Sequence, residues 1–297
     1  MKKIVALILV LTFAVFAFAS CSPAEKTYQL AVAVNTVVSE TNQVTNKIVA
    51  LVLDADGKIV SARFECAQVT PALDDNGALV AQESVLTKVE KGDAYTGMPA
   101  GSWKDQAAAY EKFIVGKTAD EIAALDATDK TLIAGCTMTG TMATFKAMIA
   151  KAFASTNKVS FTTAETITSG VAINTSVLES RGEIAVNSDL AAVVFAGDKV
   201  VATIIDVIEQ TFAVEEGEIV ANELKASKLE QGEAYVGMPA GPWYKQAPVY
   251  AATTLGKTVA ELENLETVSD ALAAAGCTMQ GTAPYKAAIV KAAKNAR

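Results

Sequence analysis

The chain has 297 residues, 51% of them hydrophobic and 20% charged, with 25 Lys and Arg against 33 Asp and Glu. That balance excludes disordered and collagen-like architectures, and the length suggests two domains. There is no histidine, which excludes Ser-His-Asp and Cys-His nucleophiles, His-ligated zinc or copper, and haem attachment through Cys-x-x-Cys-His.

Residues 1–20 read as an export signal. Lys2 and Lys3 form a positive start, Ile4 to Phe18 is a charge-free apolar run broken by Thr12, and Ala19 and Ser20 precede Cys21. The run is shorter than the roughly 20 residues that span a bilayer. Small residues directly before a cysteine, with a polar spacer from Ser22 to Lys26, resemble the lipobox of bacterial lipoproteins, with Phe18 where that family usually has Leu. The resemblance implies lipidation of Cys21 and an extracytoplasmic protein anchored by lipid to the bacterial cell membrane. The alternative is a secreted protein cleaved near Cys21. Cleavage after residue 20 removes two lysines and no acid, leaving 23 basic against 33 acidic residues and a formal charge of −10. Nucleic acid is therefore not expected as a partner, and membrane attachment would rest on Cys21 alone. Cys66, Cys136 and Cys277 remain, an odd number without metal-site spacing.

The rest is a tandem repeat. Lys91 to Gly101 returns as Gln231 to Gly241, an offset of 140, with Gly-Met-Pro-Ala-Gly in both. Trp103, Gln106 and Tyr110 reappear as Trp243, Gln246 and Tyr250, and Gly135-Cys136-Thr137 as Gly276-Cys277-Thr278. So long a period indicates a duplicated domain rather than a solenoid. The expected division is a leader over 1–20, a first domain over 21–157 and a second over 158–297, with Ser155 to Thr168 as linker.

Strands come first in each copy. Tyr28 to Val38 and Lys47 to Leu53 are β-branched and alternating, and Asp54-Ala55-Asp56-Gly57 is a hairpin turn returning through Lys58 to Glu65. Copy two repeats this with Leu190 to Phe195, a turn at Gly197-Asp198, and Lys199 to Val207. Helices follow. Ser102 opens one toward Val115, with Gly116 at the left-handed stop, and Thr118 and Thr258 each begin a capping box with an acid three residues on. Pro248, where copy one has Ala108, should kink or delay its helix. A last helix near Phe145 to Phe153 and Tyr285 to Ala293 closes each copy. The fold class is α+β: two tandem repeated domains, each an antiparallel sheet with packed helices.

Little of this pattern is catalytic. Gly116-Lys117-Thr118 lacks the earlier glycine of a P-loop and reads as a helix stop and N-cap. Asp54 and Asp56 suit a turn. Trp103 and Trp243, the two tryptophans of the chain, are either core aromatics or flat platforms beside a ligand. Gly135-Cys136-Thr137 and Gly276-Cys277-Thr278 precede a helix in both copies, where backbone N–H groups and a Thr hydroxyl can meet a phosphate, or where a tight connection simply needs small residues.

These last residues, with the leading hairpin and closing helix, resemble the FMN-binding domain of bacterial surface lipoproteins and respiratory flavoproteins. That family's motif reads acid-x-x-Ser/Thr-Gly-Ala-Ser/Thr, and the final Ser/Thr can receive FMN through a phosphoester bond from a flavin transferase. The resemblance implies FMN as cofactor, with Gly135, Cys136, Thr137, Gly276, Cys277 and Thr278 at its phosphate and Trp103 or Trp243 flanking the ring. Cys136 and Cys277 replace the family's Ala, Ala134 and Ala275 its first Ser/Thr, and Thr131 and Leu272 its acid. Covalent FMN, non-covalent FMN and an empty domain thus stay open. With FMN the chain would carry electrons outside the membrane to a redox partner, a non-hydrolytic role in which the flavin supplies the chemistry. The alternative is a cofactor-free binding or scaffold lipoprotein for an extracellular ligand or partner.

Overall fold

The computed structural model describes residues 24–95, 100–235, 238–266 and 269–297, with the side chains of 139–141 set aside. The expected leader and Cys21 lie outside the described residues, as does Met98 in the first Gly-Met-Pro-Ala-Gly loop.

Three long strands open the chain, β1 (Lys26–Val38), β2 (Val44–Asp54) and β3 (Ile59–Val69), covering and extending the expected runs. The turn between β2 and β3 is built as its residues require: Asp54 Oδ1 accepts the backbone N–H groups of Asp56 and Lys58, and Gly57 takes φ +74°. A short strand β4 (Gln82–Val85) leads into a single turn α1 (Lys88–Lys91), followed by α2 (Trp103–Ile114), α3 (Ala119–Ala123) and α4 (Thr139–Ala154). Ser102 caps α2, and Thr118 forms the reciprocal capping box with Glu121.

The same order then recurs. After β5 (Val159–Thr163) come β6 (Ile167–Ser180), β7 (Glu183–Ala196), β8 (Lys199–Glu215) and β9 (Glu218–Ala221). They are followed by α5 (Lys228–Gln231), α6 (Trp243–Ala252), α7 (Val259–Glu263), α8 (Asp270–Ala274) and α9 (Ala283–Lys294). Thr258 repeats the capping box with Glu261. Pro248 sits inside α6, which ends two residues earlier than the aligned α2. The stretch 155–168, expected as a linker, contains β5.

All strand pairings are antiparallel, in a four-stranded sheet of order β3-β2-β1-β5 and a five-stranded sheet of order β4-β6-β7-β8-β9. The class is α+β. Two strands cross between the repeats: β4 pairs with β6, and β5 with β1 through Lys26↔Thr163 to Leu30↔Val159.

The sheets pack face to face. Leu30, Val34, Ile48, Ala50 and Val52 on one meet Val171, Ile173, Leu190, Val194 and Ile204 on the other in one buried cluster. The outer face of the first sheet, with Val49, Leu51, Phe64 and Cys66, receives Trp103, Tyr110, Phe145 and Ile149 from α2 and α4. The outer face of the second, with Ala191, Val193, Phe195 and Val207, receives Trp243, Tyr250, Tyr285 and Ile289 from α6 and α9. The result is four layers, helix, sheet, sheet, helix, in which the central strands are buried on both sides. A fully buried side chain of this kind contributes about 1.5–3 kcal/mol by leaving water.

The two halves grip each other reciprocally. Lys151 on α4 pairs with Glu230 on α5, and its counterpart Lys291 on α9 pairs with Glu90 on α1. Lys151 Nζ also donates to the Val34 carbonyl at 2.9 Å, and Lys291 Nζ to that of Ile173 at 2.8 Å. Between the sheets Thr36 Oγ1 donates to Asn46 Oδ1 at 2.7 Å, Asn46 Nδ2 donates to Ser188 Oγ at 2.7 Å, and Ser188 Oγ lies 2.7 Å from Thr175 Oγ1. Buried polar groups of such a network fix the register of the two sheets, because slippage would leave each unpaired.

Candidate functional site

The repeated loops are joined by one buried side chain in each copy. Gln106 Oε1 accepts from the Thr137 backbone N–H at 2.8 Å and from Thr137 Oγ1 at 3.2 Å, while Nε2 donates to the Gly101 carbonyl at 3.2 Å. Gln246 does the same for Thr278, at 2.7 and 3.2 Å, and for the Gly241 carbonyl at 2.6 Å. Thr278 Oγ1 further accepts from the Ala240 N–H at 3.2 Å. A single amide thus ties the end of the Gly-Met-Pro-Ala-Gly loop to the Gly-Cys-Thr loop. Repetition at an offset of 140 singles out the glutamines, but nothing in local sequence says what they hold.

Gly135 and Gly276 take φ +78° and +94°, with no atom within 4 Å of where a Cβ would stand. Glycine suits the left-handed turn at both positions, and the space beside each is open. Cys136 and Cys277 are buried and free, with Cys136 Sγ 3.9 Å from Met142 Sδ. Both motif hydroxyls donate to the glutamine amide oxygens.

Trp103 and Trp243 are core residues, each 1% exposed. Trp103 lies 6.1 Å from Phe145 between ring centroids, and Trp243 lies 6.0 Å from Tyr285 in an edge-on contact. Trp243 Nε1 donates to Tyr285 Oη at 3.4 Å, whereas the buried Trp103 Nε1 has no partner among the described residues. Below each ring system is a buried lysine. Lys88 Nζ is 4.7 Å from the Tyr95 ring and 5.9 Å from the Trp103 ring; Lys228 Nζ is 4.8 Å from the Tyr235 ring and 2.7 Å from Glu209 Oε1.

Two buried carboxylates hold the turns that carry these lysines. Glu65 Oε1 accepts from Cys66 N at 2.9 Å and Val89 N at 3.2 Å, and Asp206 Oδ1 from Val207 N at 2.8 Å and Leu229 N at 3.0 Å. Burial pushes both up to about 7 despite these donors. Burial also raises Asp189 to about 7, with Lys228 opposing. In sequence the first pair looks like ordinary alternation on a strand, and only the face it occupies marks it as buried.

The second repeat has an open groove of about 880 Å³ between α6 and α8, walled by Pro248, Val249, Ala252, Leu265, Leu272 and Ala275, with one basic and one acidic residue, Lys257 and Glu266, also lining it. The wall ends one residue before Gly276. In the first repeat the bulkier Lys112 and Phe113 stand where α6 has Ala252 and Thr253, and Lys117 Nζ sits 4.7 Å over the Phe113 ring. No family model, no curated protein and no solved structure matches the chain.

Proposed function

We propose that the chain is an extracytoplasmic lipoprotein, anchored through Cys21, whose two repeated domains bind an extracellular ligand without transforming it. The observation that carries this reading is the groove beside α6. Its volume of about 880 Å³ is that of a small-molecule site, its walls are mainly apolar, and Lys257, Glu266, Asn264 and Ser269 supply polar groups. An apolar body with a polar end suits such a lining. The Thr hydroxyls and Gln amides of the repeated motifs support the same reading, because they bond to one another and to the loops.

A flavin-bearing electron carrier is the second reading, favoured by the groove wall leading through Leu272 and Ala275 into Gly276-Cys277-Thr278. Here FMN would be held without a covalent bond and would supply the redox chemistry. One experiment separates the two. The purified chain and an Ala252→Phe variant are titrated with 8-anilinonaphthalene-1-sulfonate and, separately, with FMN. Dye binding that the Ala252→Phe variant loses, without FMN binding by either protein, supports the cofactor-free lipoprotein. Flavin absorbance that the variant loses supports the carrier. Undiminished binding of both by the variant rejects the groove as the site.

A further inference from the structure

The first repeat holds two buried donors that no described residue satisfies, and the second repeat shows what would satisfy them. Lys228, 7% exposed, is ion-paired with Glu209, and the Trp243 indole N–H is bonded to Tyr285. The aligned positions in the first repeat are Lys88, Gln68, Trp103 and Phe145. The charge is gone from one and the acceptor from the other: the carboxylate has become a neutral amide and the phenol a plain ring. Both donors remain. Lys88 is 9% exposed and makes no ion pair or hydrogen bond among the described residues, and Trp103 Nε1 is buried and unpaired. Gln68 Oε1 accepts from Tyr95 Oη at 3.4 Å, and its Nε2 donates to Gln43 and Thr45.

A third position changes in the same sense. Asn35 pairs across the ladder with Lys47, and Asn174 with Asp189, so the first repeat carries a lysine where the second carries an aspartate. Lys47 lies on the face of β2 that bears Val49 and Leu51, beneath Lys88; burial depresses its ammonium and the charge of Lys88 adds to the depression. The Asn35 amide on the same face is also unpaired at its oxygen, and turned over it would offer two more donors. Glu65, the nearby carboxylate, is engaged by the backbone of Cys66 and Val89. The same place in the fold therefore has, among the described residues, two lysines and no free carboxylate in one repeat, and one lysine with two carboxylates in the other. Leaving a buried ammonium and an indole N–H without acceptors is costly, while a charge-assisted bond from a lysine to an oxyanion is among the stronger available.

We infer that Lys88, Lys47 and the Trp103 indole N–H form a binding site for a small oxyanion, a carboxylate or a phosphate group, in the first repeat. The anion supplies the negative charge that Glu209 and the acceptor that Tyr285 supply in the second. The aromatic faces of Tyr95 and Trp103 bracket the Lys88 ammonium and keep it dry, which strengthens its attraction for the ligand. This site is separate from the groove beside α6 and does not rest on what that groove binds.

The test is a titration of the purified full chain with sodium phosphate and with sodium acetate, at constant ionic strength balanced by sodium chloride. Melting temperature is one readout, and Trp103 emission in a Trp243→Phe background is the other. A saturable rise of a few degrees, with a parallel change in Trp103 emission, is expected for at least one of the two salts. Response to phosphate alone identifies a phosphate site, and response to acetate alone a carboxylate site. Lys88→Met should lose the response. Gln68→Glu should supply the anion internally, as Glu209 does, giving a chain that melts higher without added salt and no longer responds. Should Lys88→Met fail to fold, Gln68→Glu carries the test by itself. Absence of a saturable response to either salt in the parent chain overturns the inference, as does an undiminished response in Gln68→Glu.

Discussion

Gln106 and Gln246 each satisfy a backbone N–H, a hydroxyl and a carbonyl with one buried amide, so removing the amide strands partners that water cannot easily reach. An unsatisfied buried group costs about 1–3 kcal/mol, and Gln106→Ala or Gln246→Ala should each lose about 2–4 kcal/mol in urea denaturation. A loss below about 1 kcal/mol would show that the loops are held by other contacts. The buried acids make a second prediction. Asp206 has an ordinary value of 3.8 and is raised to about 7 by burial, so across that interval the folded chain keeps a proton that the unfolded chain has released. Stability from this group is therefore full below the unfolded value and is lost as pH rises toward 7. Glu65 and Asp189 act in the same direction. Exposed acids do the reverse: Glu261, held at about 2 chiefly by the Thr258 backbone N–H, favours the fold above its ordinary value of 4.5 and stops doing so in strong acid. Stability should thus peak in mild acid and fall toward neutrality, by at most about 1.4 kcal/mol per pH unit for each buried group. Asp206→Asn keeps an oxygen for Val207 and Leu229 and cannot ionise, so it should raise the melting temperature at pH 8 and flatten the decline; an unchanged decline would clear Asp206 of the role.

Where local chemistry decides an element, its sequence is legible. The turn at Asp54-Gly57, the capping boxes at Thr118 and Thr258, and the stop at Gly116, with φ +86°, follow from residues within a few positions of one another. The short strands β4, β5 and β9 do not. Val159 to Thr163 is Val-Ser-Phe-Thr-Thr, which suits a linker as well as a strand, and becomes a strand because β1 offers it an open edge. Likewise α1 and α5 are single turns, held by Glu65 and Asp206 from another element. Pro248 lies between these cases. Its presence predicts a kink or a delayed start, but α6 begins at Trp243 as α2 does at Trp103 and instead ends two residues earlier, and the groove over Ala252 and Thr253 depends on α8 opposite. Without its own N–H, Pro248 leaves the Tyr244 carbonyl without the usual helical donor, and Thr253 and Thr254 hydroxyls close the last turn on Tyr250 and Ala251. Proline inside a helix costs about 3 kcal/mol against alanine, partly offset by its stiffening of the unfolded chain. Pro248→Ala should therefore stabilise the protein by about 1–3 kcal/mol in chemical denaturation. Destabilisation would mean that the ring's packing at the groove outweighs the missing bond.

At the scale of the whole molecule, strand alternation suggests a sheet with one buried face, whereas here both faces are covered. The near-continuous run Leu190-Ala191-Ala192-Val193-Val194-Phe195-Ala196 on β7 is the residue pattern of a strand buried on both sides, but it does not say that the second cover is the other sheet. That arrangement makes each half the other's solvent. Alone, the first half would expose Leu30, Val34, Ile48, Ala50 and Val52, together with the edge of β1 that β5 now covers, and the pairs Lys151–Glu230 and Lys291–Glu90 would be broken. An exposed apolar face beside an unpaired strand edge favours association over solubility. The full chain should therefore unfold as one cooperative unit despite its length. Trp103 lies in one outer core and Trp243 in the other, so Trp103→Phe and Trp243→Phe variants each leave a single fluorescent reporter for one half. Once each curve is referred to the calorimetric transition of its own variant, both reporters should change at that same temperature and with the same van't Hoff enthalpy. If one reporter changes well before its calorimetric peak while the other follows its own, the halves unfold independently, and the face between the sheets contributes too little to couple them.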